Sequence, residues 1–345
     1  MSTDPLDDEQ YLWDGTGVPD PDVQRLEALL APLAARPEPL ALALSASGAS
    51  WSPLPWRSCL AAAAVVLVAV GVATRMPRPD VGGDPWRVAR VEGLPTLAAA
   101  PLARHARIAE GRWIETGAGA SAVMFVGRIG RLEVAPGSRL RVTTAAPGDH
   151  RAELVRGTIQ AQIWAPPGQF VIDTPSATTV DLGCAYTLTV DDAGRGLITV
   201  EGGWVGFEHQ GREAFIPAGA TGRTYPGRGP GIPAYVDAPA ALREAVDALD
   251  LADDVVAQAG PLTVVLREAR REDALTLWHL LTRVDASLVP QVVDRLDTLV
   301  PMPAGVTREG VLAGNRAMRD AWWDALGLGT TSWWRTWRQQ WNDGR

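Results

Sequence analysis

Two cysteines, Cys59 and Cys184, are the most nucleophilic groups in this 345-residue chain. A cysteine attacks or senses redox change when a histidine, a cation or a helix N-terminus holds it as the thiolate. The sequence around Cys184 supplies none of these, so it reads as a small hydrophobe buried in a strand. Cys59 lies inside an apolar run far away, which argues against a disulfide between the two. Asp173 and Asp181 could form a carboxylate pair for acid–base work, but turn and strand-end hydrogen bonding suits them better. Asp191-Asp192-Ala193-Gly194 has the oxygens of a calcium loop without the regular spacing, and reads as a hairpin turn. His105, His150, His209 and His279 never fall at metal-ligand spacing. His279 sits beside Trp278 on an apolar helical face and reads as a core histidine. The glycines do not open a helix after a strand, so no phosphate-cradling fingerprint is present. No catalytic residue, cofactor or metal is expected, and no enzyme emerges.

The elements that carry these residues fall into distinct regions. The formal charge is −8 and 46% of the residues are hydrophobic. That balance argues against direct nucleic-acid binding and fits a globular protein with one added apolar segment. All 32 basic residues are arginine, which reads as coding bias in a GC-rich genome.

Residues 58–74 read SCLAAAAVVLVAVGVAT, 17 residues without a charge. At 1.5 Å rise per residue this meets the short end of the ~17–25 residues a spanning helix needs. Arg57 and Arg75 bracket the run, and Trp51 and Trp56 precede it at the place where amphipathic rings favour a membrane interface. It begins too late for a secretory leader, so a single membrane span is expected. Arg36 and Arg57 on one side face Arg75, Arg78, Arg87 and Arg90 on the other, which by itself would put the C-terminal side in the cytoplasm.

Residues 1–57 form an acidic tail. Up to residue 56 it holds nine acidic groups and two basic ones. Val23, Leu26, Leu29, Leu30 and Leu33 recur at helical spacing, with Asp20 and Asp22 as caps. One amphipathic helix cannot bury its stripe alone, so the leucines read as anchors for a partner, with Asp20, Asp22 and Glu27 steering it. Residues 87–226 show short alternating runs, such as Ile159, Ala161, Ile163 and Tyr186, Leu188, Val190. Between them stand turn signals such as Pro136-Gly137, Pro147-Gly148 and Gly202-Gly203. This predicts an all-β domain, a sandwich, roll or solenoid of short strands. Residues 238–345 predict about four helices joined by loops at Pro261, Pro290 and Pro301-Met302-Pro303. Six of the fourteen tryptophans lie between Trp322 and Trp341. Core packing is their commoner use, with binding of glycan, peptide or membrane as the sharper alternative.

The β region resembles the FecR domain, the outer module of ferric-citrate-regulator-like signalling proteins. The resemblance rests on Gly111-Arg112-Trp113-Ile114-Glu115-Thr116-Gly117, Val134-Ala135-Pro136-Gly137-Ser138-Arg139-Leu140 and Leu154-Val155-Arg156-Gly157. It continues in Phe170-Val171-Ile172-Asp173-Thr174-Pro175, Thr179-Val180-Asp181-Leu182-Gly183 and Thr199-Val200-Glu201-Gly202-Gly203-Trp204-Val205. Gly117, Pro136, Gly137, Gly157, Pro175, Asp181, Gly183 and Gly202 are its structural positions. Cys184 departs from the small hydroxyl residue expected after Asp-Leu-Gly. The resemblance implies a bacterial inner-membrane regulator, N-terminus in the cytoplasm and bulk in the periplasm, coupling an outer protein or glycan ligand to a cytoplasmic partner. In the best-known members of that family the inner tail holds an extracytoplasmic-function sigma factor and releases or activates it on signal. The alternative is an envelope-anchored binding or scaffold protein with no signalling role.

Overall fold

The computed structural model describes residues 84–329, together with Pro21 and Arg25. The tail stripe, the apolar run at 58–74 and the tryptophans beyond 329 lie outside these residues. Among the described residues, no helix is long and apolar enough to cross a membrane. The chain divides into two compact units, Met1–Pro77 and Arg78–Arg345, and the description below concerns the second.

That unit is mainly β with a small helical C-terminal region. Its strands are β1 (Trp86–Glu92), β2 (Thr96–Leu97), β3 (Ala100–Pro101), β4 (Arg107–Ile108), β5 (Trp113–Glu115) and β6 (Ser121–Val126). Next come β7 (Gly130–Val134), β8 (Arg139–Ala146), β9 (Asp149–Ile163), β10 (Phe170–Asp173), β11 (Thr178–Asp181) and β12 (Ala185–Val190). The last are β13 (Gly196–Gly202), β14 (Trp204–His209), β15 (Arg212–Pro217), β16 (Ala220–Tyr225), β17 (Gly229–Pro230) and β18 (Ala234–Tyr235).

Strand pairing sorts them into two layers that share β9. One layer runs β4-β1-β6-β7-β9-β12-β13-β16-β18. The other runs β3-β2-β5-β8-β9-β10-β11-β14-β15. The β9–β10 pair is parallel, so the sheet is mixed. Alternating side chains from both layers meet in one core: Leu132, Ile159, Leu188 and Ile198 from the first, Leu140, Leu154, Phe170 and Phe207 from the second. Ile159, Ala161 and Ile163 of β9 and Tyr186, Leu188 and Val190 of β12, anticipated from alternation, are all buried, because period two sends every second side chain to the same face.

Strand β9 is 15 residues long, and its first half pairs with β8 and β10 while its second pairs with β7 and β12. The change of layer falls at Gly157, which has φ +96°, and a Cβ there would collide with the Oγ, Cα and Cβ of Ser138. The backbone groups left over at this crossing are satisfied by hydroxyls. Thr158 N donates to Ser138 Oγ at 2.9 Å, Ser138 N to Thr116 Oγ1 at 2.9 Å, and Thr116 Oγ1 to the Ala135 carbonyl at 2.6 Å. Three of the FecR-like segments therefore meet at one knot.

Six helices follow among the described residues: α1 (Ala240–Leu251), α2 (Val255–Glu268), α3 (Ala274–Leu280), α4 (Val289–Leu299), α5 (Arg308–Leu312) and α6 (Arg316–Ala325). Two expected loop prolines are in helices instead. Pro261 lies within α2, and Pro290 occupies the first turn of α4, where the missing N–H would have had no intrahelical acceptor. Pro301-Met302-Pro303 does separate α4 from α5. The short α5 was not foreseen, since five residues are too few to show a period; the Thr307 side chain caps it by accepting from Gly310 N. A second core joins Leu242, Val246, Leu262, Leu277, Leu280, Val292 and Leu296.

Gly157→Ala is expected to lower stability by at least about 2 kcal/mol, through both a strained φ and the clash with Ser138. Gly117 belongs to the same set of motifs but has open space at its Cβ and no positive φ. Gly117→Ala is expected to stay within about 1 kcal/mol of the parent. Urea unfolding followed by tryptophan fluorescence checks both.

Candidate functional site

Helices α3 and α6 are the seam between the two cores. Leu275 and Trp323 belong to the β core, whereas Leu277 and Trp322, two residues and one residue away, belong to the helical core. Trp322 Nε1 donates to the Val300 carbonyl at 3.0 Å, and Trp323 lies edge-on to Trp278, ring centroids 4.7 Å apart. These two rings are core residues, as their composition suggested.

His279 pins the seam to strand β15. Phe215 N donates to its Nε2 at 3.1 Å, so Nδ1 carries the proton and donates to the Leu275 carbonyl at 2.8 Å. The ring is fully satisfied, and burial lowers its pKa to about 4. It is a core histidine, as its position beside Trp278 implied.

Over this seam opens a cleft of about 560 Å³. Its floor is Phe215, Trp278 and His279, and its walls carry Arg212 from β15, Arg283 after α3, and Arg316 and Arg319 from α6. Glu213 and Asp320 are the acidic residues on the lining. Arg283 is held by backbone carbonyls, donating from Nη1 to Pro230 at 2.9 Å and from Nη2 to Glu213. Arg212 donates weakly to the Arg228 carbonyl at 3.4 Å, and the Trp278 indole donates to the Arg319 carbonyl at 2.8 Å. The Nε atoms of Arg212 and Arg319 are buried, with no hydrogen-bond partner among the described residues. Burial pulls both guanidinium pKa values down; Asp250 opposes this for Arg212 and Asp320 for Arg319, while Arg228 and Arg316 add to it in smaller measure. The chemistry of such a cleft is oxyanion binding, since guanidinium groups offer paired planar donors.

The residues singled out from sequence have structural places elsewhere. Asp181 ends β11, accepts from Gly183 N at 2.7 Å and accepts the Cys184 thiol proton. Burial raises its pKa to about 7. Burial and the neighbouring Asp181 push the Cys184 thiol far above its usual range, so it is an inert, buried side chain. Asp173 accepts from the Thr178 hydroxyl at 2.8 Å, and Asp191 closes its hairpin by accepting from Ala193 N and Arg195 N. Gly137 N donates to the Thr116 carbonyl in the Pro136-Gly137 turn. Pro175 lies in the β10–β11 turn against Gly194, and Gly202 closes β13 in open space. Next to Gly202, a Cβ on Gly203 would collide with the Gly183 carbonyl. None of these lines the arginine cleft. The tail residues Asp20, Asp22, Leu26, Glu27, Leu29, Leu30 and Leu33 lie outside the described residues.

Sequence reasoning missed the cleft, because its four arginines are spread over more than a hundred positions and share no local pattern. It also missed two buried polar groups. His150 is fully buried, accepting from Trp86 Nε1 at 3.2 Å and facing Asp84 at 3.7 Å. Asp250 in α1 accepts from Ile232 N at 2.9 Å, and burial raises its pKa to about 7. Among the described residues no group of His, Cys, Asp and Glu could hold a metal ion.

No family model matches the chain, and no curated protein matches it. Two crystal structures of a "putative anti-sigma factor" from Parabacteroides distasonis, at 1.65 and 2.50 Å, are similar in part. Each shares 15% identity at a TM-score of 0.32, over 39% of this chain and 64% of that one. The likeness is thus coarse and covers less than two thirds of the neighbour.

The buried groups set a pH dependence whose sign follows from linkage. Asp181 and Asp250 titrate near 7 in the fold against 3.8 ordinarily. The folded chain therefore binds more protons in that window, and stability falls as pH rises through it. His279 acts oppositely. Its folded pKa of about 4 lies below the ordinary 6.5, so its contribution is lost as pH falls from 6.5 towards 4. Asp181→Asn is expected to shrink the loss of stability between pH 5 and pH 8 by about 1–3 kcal/mol. His279→Phe is expected to cost about 1–3 kcal/mol at pH 7, because Phe215 N loses its acceptor. Urea unfolding at both pH values reads the two effects.

Proposed function

We propose that the chain is a membrane-anchored regulator whose β domain and helical cap read a ligand outside the cytoplasmic membrane. The run at 58–74 crosses the bilayer once, and the acidic tail at 1–57 holds a cytoplasmic protein. An extracytoplasmic-function sigma factor is the partner of first choice. The reading rests on one observation above others: the FecR-like segments are the parts that shape the fold. Gly111–Gly117, Val134–Leu140 and Leu154–Gly157 meet at the Thr116–Ser138–Thr158 knot. The segments ending in Gly183 and containing Gly203 meet at the second close approach. A resemblance carried by residues with such specific backbone duties is more informative than one spread over exposed positions.

The arginine cleft adds a place where a ligand can act on both cores at once. Helices α3 and α6 contribute to each core and line the cleft together with β15. A ligand that binds one arrangement of this seam better than another would shift the unit between them. The tail leucines supply an apolar stripe for a partner, and the surplus of carboxylates favours a basic surface on it.

The test is capture of partners by the full-length protein from membranes, compared with the Leu29→Asp, Leu30→Asp double variant. The parent is expected to retain a cytoplasmic protein that the variant holds about tenfold less well or worse. Reporters fused to the two ends are expected in different compartments. If the captured proteins and the transcripts are the same for both chains, the tail has no signalling role. The protein would then be an envelope-anchored binding protein.

A further inference from the structure

We infer that the cleft between β15, α3 and α6 binds a small organic or inorganic dianion bearing phosphate, sulfate or carboxylate groups. This deepens the regulatory reading above and rests on it for the cleft's role as the sensing site. Of the chain's formal charge of −8, −7 lies in residues 1–56, so the rest is close to neutral, and within it this cleft gathers four arginines against two acids. The surplus of two positive charges sets the charge of the ligand.

Local counter-charges account for the arginines only in part: Asp250 acts on Arg212 and Asp320 on Arg319, and burial outweighs both. Among the described residues, no carboxylate lies within ion-pair distance of Arg212, Arg283, Arg316 or Arg319. Other arginines do find such partners, as Arg223 does in Asp247, Arg228 in Asp253 and Arg308 in Asp294. Arg283 is oriented by two backbone carbonyls, which fix its plane without neutralising it. Among the described residues, the buried Nε atoms of Arg212 and Arg319 find no acceptor.

Size and lining fit a small ligand. The volume of about 560 Å³ falls within the ~300–1,000 Å³ of small-molecule sites. The floor of Phe215, Trp278 and His279 is held by the seam, so the arginines stand on a fixed base. His279 contributes no charge there, because its ring stays neutral and both its nitrogens are engaged.

Isothermal titration of the purified full-length protein with pyrophosphate, inorganic phosphate, sulfate and malonate tests this, with chloride at matched ionic strength as the reference. Saturable binding of at least one of the four at one site per chain is expected, with no such signal from chloride. The four probes separate phosphate, sulfate and carboxylate as the preferred group. Arg316→Gln and Arg319→Gln are each expected to weaken binding about tenfold or more, the loss expected of one charge-assisted bidentate pair. Arg267→Gln, on an exposed face of α2, is expected to bind as the parent does. Arg316 is exposed and its replacement is expected to leave the melting temperature unchanged, which keeps the comparison clean. Absence of saturable binding by every probe, or affinity equal to the parent's in both cleft variants, overturns the inference. The assay contains no protein partner, so a failed titration leaves tail capture standing, and failed tail capture leaves the anion site standing.

Discussion

Strand β9 can serve two sheets only because no side chain stands at Gly157, where the backbone of Ser138 lies against it. A strand that changes layers must leave some N–H and C=O groups outside either ladder, and those groups are costly when buried. Here the hydroxyls of Thr116 and Ser138 take them up, each acting as donor and acceptor within the same knot. The arrangement explains why small and hydroxyl residues, not large apolar ones, mark this point of the chain. It also ties three segments distant in sequence to a single place. Displacing any one of them would unpair the others.

The helical region is not a separate appendage hung on that frame. Neighbouring residues of α6, Trp322 and Trp323, enter different cores, as do Leu275 and Leu277 of α3. His279 completes the join by giving a strand N–H an acceptor that a methylene chain could not supply. The cleft arginines inherit their positions from this seam. Their charge is held in place by helices whose opposite faces are locked in apolar contact.

Burial sets the titration of several groups, and in opposite senses. Asp181 and Asp250 are held towards the protonated form, while His279 is held neutral by the same low-polarity surroundings. Each is hydrogen-bonded to backbone, so each is a structural member of its neighbourhood rather than a free acid or base. Cys184 belongs to the same class. Its thiol donates to Asp181 and is deprived of the cation that would make it reactive.

Local pattern was enough to determine the β character of the middle of the chain, the strand faces, the hairpin turns and the core role of His279, while for Trp322 and Trp323 it left binding open beside core packing. Those features depend on periods of two or 3.6 and on turn chemistry, which operate over a few residues. Proline misled in the helices, because a proline in a first turn or in a helix supported by tertiary contacts carries the same letter as one in a loop. The two-layer sharing of β9, the hydroxyl knot and the gathering of Arg212, Arg283, Arg316 and Arg319 were decided by tertiary structure alone. Each brings together residues separated by tens of positions, and no period within a segment can encode which distant segment will lie beside it.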